Sequence, residues 1–246
     1  MLTRLSQWPK GEALPIGHRG AAGLLPENTL PSIERALELG VSMIEIDVHW
    51  VHGQLLVIHD TTLQRTTNGR GPLSKMAFHS IRNLNAGGET RIPILEEVIA
   101  SVVGKAVLNI ELKGRGTANP VCAYLQTLLN SGVEPDAFLL SSFAQGELRI
   151  AKRLCPELPR GLLLPRTSKP WIRTARKLEV TAIHPHRLGT KPPLIAKARA
   201  EGFKIFPYTI NDPAGMERMT RLQVDGYFTD RPDLALLSNS ALPSPR

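Results

Sequence analysis

The chain has 246 residues, 42% of them hydrophobic, and a formal net charge of +8. This is apolar material enough for a real core, yet no apolar run is long enough to span a bilayer, which excludes stable membrane insertion. The basic residues are dispersed and carry no interleaved aromatics, which argues against a nucleic-acid partner and for a cleft that draws in a small anionic substrate. The opening MLTRLSQWPKGEALP has charge but no apolar stretch before a small-residue cleavage site, so an unprocessed cytoplasmic start is expected. Cys122 and Cys155 fall inside predicted helices without metal-ligand spacing, and buried thiols in a reducing compartment are expected.

In chain order, the first predicted strand covers 16–19 and breaks into a loop at Gly20, Gly23 and Pro26. Leu30, Ile33, Leu37 and Val41 recur at three- and four-residue spacing, which predicts a helix ending at Gly40. Over 43–50, Ile44, Ile46 and Val48 alternate with Glu45, Asp47 and His49, the period of a strand. Two acids at i and i+2 on one face of an apolar strand imply something that binds them, because unpaired buried charge is costly. A second arm covers 55–58, and His52-Gly53 predicts a two-residue hairpin turn between the arms. Folding there lays His59 roughly opposite Asp47. Residues 61–91 are rich in Gly, Asn, Thr and Arg and read as an insertion with one short helix over 75–84.

From Pro93 the alternation is regular. Helices are predicted over 95–103, 119–130, 145–154, 170–178, 193–201, 213–222 and 232–237. The strands between them cover 106–112, 137–142, 161–164, 181–184, 204–209 and 225–229, and the tail over 238–246 is expected to be disordered. Eight strand–helix units, with the 55–58 arm as an extra, predict an α/β chain folded as one (β/α)8 TIM barrel domain over 1–246. A doubly wound open sheet is the competing fold, and no GxGxxG follows the first strand to support it.

Barrel enzymes carry their sites at the C-terminal strand ends, and the polar residues here collect at those ends. Glu45, Asp47 and Glu111 form a three-carboxylate set that suits one hard divalent cation, Mg²⁺ or Ca²⁺. Arg19 and Lys113 add positive charge on the same rim, fit for a phosphate, and His18 and His59 titrate near neutrality as an acid–base pair. His184 and His186 either line the cleft or bond to backbone, while His49, His52 and His79 are expected to face solvent. Ser141 and Ser142 lack a GxSxG elbow and take no nucleophilic role. Asp60 is expected to orient the loop after His59 and to touch the site, and Thr229 and Asp230 to close the last strand rather than bind ligand. Together these residues predict metal-assisted phosphodiester cleavage.

GHRG, PENT, EIDV, HD at His59-Asp60, IELK at Glu111, YTIND at Tyr208 and DGYFTDRPD at Asp225 also carry a family likeness. In these motifs, their order and their spacing, nearly the whole chain resembles the glycerophosphodiester phosphodiesterases, most of all the short cytosolic bacterial members. The resemblance implies a (β/α)8 barrel with a small subdomain inserted after the hairpin, matching 61–91. It implies His18 and His59 as the catalytic pair, and Glu45, Asp47 and Glu111 as ligands of a divalent metal. Arg19 and Lys113 are placed on the phosphate, with Glu27 and Asn28 beside it. Tyr208 stands where many members carry Trp, so the floor under the glycerol stays aromatic. The implied reaction turns glycerophosphodiesters such as glycerophosphocholine or glycerophosphoethanolamine into sn-glycerol 3-phosphate and an alcohol. It runs through a cyclic phosphate, with His18 as first base and His59 as first acid. Lysophospholipase D action on an acylated substrate is the nearest alternative, and a non-catalytic polyanion-binding barrel a more distant one. A homodimer is left open.

Overall fold

The computed structural model describes residues 2–166 and 170–235. Eight parallel strands run side by side in the order β8(Lys204–Ile205), β7(Ala182–Pro185), β6(Arg160–Leu164), β5(Phe138–Ser142), β4(Val107–Leu112), β2(Met43–Val51), β1(Leu14–His18) and β9(Gly226–Thr229). A ninth strand, β3(Gln54–Val57), pairs antiparallel with the upper half of β2. The seam between β8 and β9 is bridged by backbone bonds from Asp225 N to Ile205 O (3.1 Å), Phe228 N to Pro207 O (2.9 Å) and Ile210 N to Phe228 O (2.9 Å). The predicted (β/α)8 barrel is therefore present.

The helices are α1(Leu30–Glu38), α2(Phe78–Arg82), α3(Leu95–Val102), α4(Ala118–Asn130), α5(Gln145–Leu154), α6(Ile172–Leu178), α7(Pro192–Ala200) and α8(Pro213–Arg221). Those outside the insertion follow the predicted order, with ends shifted by one or two residues. The last predicted helix begins at Pro232 as expected, but its end and the tail over 238–246 lie outside the described residues. Among the described residues no helix is long and apolar enough to cross a membrane.

Strand alternation divides the side chains into two cores. Outward residues such as Ile44, Ile46, Leu108, Ile110 and Leu140 pack under the helices with Ile33, Leu95, Val121 and Leu125. Inward residues Ile16, Met43, Val107, Leu139, Ala182, Phe206 and Phe228 fill the barrel itself. The N-terminal segment stops the lower end of this interior. Trp8 is 3% exposed, stacks edge-on to Phe206 (centroids 5.5 Å apart), and donates from Nε1 to Asp225 O at 2.8 Å. Both cysteines are free and buried, Cys122 within α4 and Cys155 one residue beyond α5, its Sγ donating to Cys122 O.

Three sequence expectations change. The hairpin turn is the two-residue one predicted, with His52 (φ 50°) and Gly53 (φ 76°) both left-handed, as a type I′ turn requires. Its register pairs Val51 with Gln54 and Val48 with Val57, so Ile58 N donates to Asp47 O, and His59 lies one residue beyond the position opposite Asp47. The strand predicted over 204–209 is cut to two residues, because Pro207 has no N–H to donate. Its continuation still bonds to β7 through Phe206 N to Ile183 O (3.0 Å) and Tyr208 N to Pro185 O (3.1 Å). In the insertion, the single helix expected over 75–84 is instead a 3₁₀ turn, Leu73–Lys75, and α2, separated by extended Met76 and Ala77. That break lets Leu73 and Ile81 enter a separate small core with Leu56, Ile58, Leu63, Ala86 and Ile92. The segment returns where it left, since Leu56 bridges Ile94 and Val57 N donates to Pro93 O at 2.9 Å.

Candidate active site

Reading upward along the inner face, the barrel changes from apolar to ionisable two residues at a time. Ile16, Met43, Val107 and Leu139 lie in the interior cluster; two positions on come His18, Glu45, Asn109 and Ser141, and two further on β2 and β4 come Asp47 and Glu111. Register aligns them across strands, with His18 opposite Glu45, Asp47 opposite Glu111, and Glu111 opposite Ser141. The same alternation puts His49 on the inner face. It is 7% exposed, not solvent-facing as expected, and donates from Nε2 to His59 O at 3.0 Å. His52 and His79 are exposed.

The mouth is a cleft of about 400 Å³. His18, Arg19, Glu45, His59, Glu111 and Lys113 line it from the β1–β2–β4 arc, and Phe143, His186, Arg187 and Tyr208 from the far arc. Tyr208 donates from its hydroxyl to Leu164 O at 3.0 Å and meets Phe143 and His186 edge-on, at 5.8 and 5.6 Å between centroids. His184 is buried below, beside Phe228 (5.0 Å), and burial pushes it down to about 3. Neither its ring nitrogens nor the side-chain polar atoms of Asn109 and Ser141 have a hydrogen-bond partner among the described residues.

His18 and His59 are held alike. His18 Nδ1 donates to Asp230 Oδ1 at 2.6 Å, and His59 Nδ1 donates to Asp60 Oδ1 at 2.6 Å, which leaves Nε2 of each ring for other work. Asp60, expected to orient the loop and to reach the site, braces the His59 ring. Asp230, expected merely to close the last strand, instead braces His18 and is in turn held by Asn211 Nδ2 and by its own N–H on Asn211 Oδ1. Burial lowers the His18 pKa, but the Asp230 bond and the Glu45 charge outweigh it, so His18 sits above its ordinary value. Burial, with Arg19 and Lys113 adding to it, leaves His59 below its own despite Asp47 and Asp60.

The loop after β1 brings Arg19 to the acids. Arg19 (φ 53°) and Gly20 (φ 85°) are both left-handed, and a Cβ on Gly20 would lie 2.6 Å from the Ser32 backbone, so only glycine fits. This turn aims Arg19 N at Glu45 Oε2 (3.0 Å) and its Nε to within 3.0 Å of Asp47 Oδ2, a charge contact without hydrogen-bond alignment. Arg19 NH1 donates to Glu27 Oε1 at 2.8 Å. Glu27 also receives both terminal nitrogens of Arg65 at 2.8 Å, so it stands behind the cleft wall, occupied by arginines. Asn28 is buried under Asp47, donating to Oδ2 at 2.9 Å and accepting the Asp47 N–H at 3.2 Å. Lys113 Nζ lies 2.9 Å from Glu111 Oε1 and 3.4 Å from Asp47 Oδ1.

Glu45, Asp47 and Glu111 are all buried and each offers an oxygen within 4.8 Å of the others. Burial, with Asp47 and Glu111 close by, pushes Glu45 up to about 8, and burial and Asp47 raise Glu111. Burial acts in the same sense on Asp47, but Arg19 and Lys113 hold it below the usual carboxylate range. Asp47 Oδ1 is buried without a hydrogen-bond partner. Three hard oxygen donors with a positive-charge deficit and one uncommitted lone-pair site fit a single hard divalent cation.

A strand barrel with this mouth defines a (β/α)8-barrel hydrolase. The chain belongs to the glycerophosphoryl diester phosphodiesterase family, whose model matches residues 18–234. A glycerophosphodiester phosphodiesterase of Caldanaerobacter subterraneus subsp. tengcongensis is 37% identical over 235 residues, spanning 90% of this chain and 96% of that one. A glycerophosphodiester phosphodiesterase of Bacillus subtilis is 30% identical over 269 residues, spanning 95% and 91%. Among solved structures, an Oleispira antarctica phosphodiesterase in complex with its product sn-glycerol-3-phosphate superposes with a TM-score of 0.85 at 30% identity, covering 96% of this chain and 98% of that one.

Proposed function

We propose that this protein hydrolyses glycerophosphodiesters to sn-glycerol 3-phosphate and an alcohol, with one divalent cation and two histidines acting in turn. The observation that carries the reading is the arrangement at the mouth. Two carboxylate-braced imidazoles and the cations Arg19 and Lys113 share one cleft with a buried three-acid cluster. Glu45, Asp47 and Glu111 would hold the cation, Mg²⁺ or Ca²⁺, whose charge polarises the phosphate and the hydroxyl beside it. Arg19 and Lys113 bind the phosphate oxygens, while Tyr208 lies under the glycerol.

In the first stage His18 Nε2 takes the proton of the glycerol 2-hydroxyl, and that oxygen attacks phosphorus. The bond from phosphorus to the alcohol oxygen breaks as His59 Nε2 gives that oxygen a proton, leaving a cyclic phosphate. In the second stage His59 takes a proton from water, water oxygen adds to phosphorus, and the bond from phosphorus to the 2-oxygen breaks as His18 returns its proton to that oxygen. Without the cation His18 holds its proton more tightly than His59 does; a cation on Glu45 would cancel the charge that raises His18, and position then supports this order. The His18 side chain is 17% exposed and its Nε2 lies 3.9 Å from Glu45, whereas His59 is 32% exposed, nearer where an alcohol departs. The free buried thiols are consistent with the cytoplasmic setting.

Glycerol 3-phosphate release from glycerophosphocholine, glycerophosphoethanolamine and related diesters, with and without Mg²⁺ or Ca²⁺, tests the reading. No release from any of them with either ion would overturn it. Lysophosphatidylcholine is expected to be a poor substrate. Of the apolar residues of the insertion, Leu73 and Ile81 are buried in its own core and Met76 and Phe78 pack on it, so these side chains are taken up by that core rather than by an acyl chain. Lys113→Ala is expected to lower kcat/KM by roughly a hundredfold, the size of one lost charge donor, with a melting midpoint close to native. A large fall in melting temperature with activity per folded molecule intact would instead mark a structural lysine.

A further inference from the structure

We propose that Arg65, carried by the inserted segment, is a positioning residue that holds the His59 imidazole and the Arg19 guanidinium in register with each other; the inference rests on the reaction proposed above. Arg65 does not line the cleft. It touches instead the two carboxylates that stand behind the cleft's working groups. Its Nε donates to Asp60 Oδ2 at 2.5 Å, while the other oxygen of Asp60 takes the His59 Nδ1 proton at 2.6 Å. Its two terminal nitrogens grip Glu27 at 2.8 Å each, and Glu27 Oε1 also receives Arg19 NH1 at 2.8 Å. The guanidinium thus spans two arms that start on different loops, one after β1 and one after β3.

Stability does not account for this fork. The Arg65 side chain is 45% exposed, and exposed ion pairs contribute about 0–1 kcal/mol. Geometry does. A guanidinium is a planar set of donors at fixed angles, so it fixes the relative orientation of both carboxylates, which the single ammonium of lysine cannot do. Asp60 is partly exposed and would swing away from His59 without a second anchor. The Arg65 backbone is itself fixed by the insertion, because Leu63 is fully buried in its small core and Thr67 N and Oγ1 both donate to Leu63 O. The insertion is therefore part of the machinery that aims the acid and the phosphate clamp.

Arg65→Ala and Arg65→Lys, each made in the full chain and assayed on sn-glycero-3-phosphocholine with Mg²⁺, test the assignment. We expect kcat of the alanine variant to fall about 10- to 100-fold, the usual cost of misplacing a reacting group by a fraction of an ångström to an ångström. The melting midpoint should stay near native. Lysine should recover little of the loss, and guanidinium added at sub-denaturing concentration should recover part of it in the alanine variant but not in the lysine one. Independently of turnover, a ¹⁵N NMR titration should show the His59 protonation midpoint moving downward in Arg65→Ala, because the imidazolium loses the Asp60 carboxylate that steadies it. A native kcat, full recovery by lysine, or an unmoved His59 titration would each overturn the proposal. Should the native enzyme release no glycerol 3-phosphate, the reaction reading falls, and the NMR titration decides on Arg65 by itself.

Discussion

Replacing His18 or His59 by alanine is expected to lower kcat by roughly two to four orders of magnitude, the usual contribution of a positioned acid or base. Folding should be little affected, since both side chains lie at the strand-end mouth and pack into neither core. The two variants separate when the departing alcohol changes. With p-nitrophenol as the alcohol, departure needs no proton, so a variant lacking the first-stage acid recovers much of its rate and one lacking the base does not. His59→Ala should recover and His18→Ala should not. The reverse result would exchange their roles, and near-native turnover of glycerophosphocholine by either variant would remove the two-histidine mechanism.

Chelation is expected to abolish turnover, and Mg²⁺ or Ca²⁺ to restore it. Asp47→Asn should lower activity on the order of a thousandfold and not recover in excess metal, because charge stabilisation by a bound cation is worth several kcal/mol and each 1.36 kcal/mol is tenfold in rate. Asp47 is the informative member of the cluster. It is 1% exposed, held between Arg19 and Lys113, and its Oδ1 lacks a hydrogen-bond partner, so the amide keeps the shape while removing charge and one donor oxygen. Full turnover in excess EDTA would rule out a role for the cation.

Strand–helix order was legible because each buried barrel strand is a short apolar run bounded by turn residues, and each helix shows a 3.6-residue apolar period. Glu45, Asp47 and Glu111 were legible as a cluster because strand alternation and parallel pairing leave few other places for acids on β2 and β4. What the sequence hid lies in long-range pairing. Asp230 is 212 residues from His18, and Arg65 is 38 from Glu27; local periodicity carries no trace of either. His49 is a different case, because its place two residues after Asp47 put it on the inner face by the argument already used for the acids. The one-residue offset of His59 follows from the turn length, since two residues at His52-Gly53 set Ile58, not His59, against Asp47.

The insertion leaves β3 and comes back beside it, the bridge between Leu56 and Ile94 pinning its two ends together. To the barrel it is a tether knotted at the base, whose contour length is almost invisible, since doubling such a loop costs only about 0.6 kcal/mol. Descendants of this chain can therefore lengthen, trim or redecorate the segment while the strand ends beneath stay where they are. The limit on that freedom is one arginine near its start.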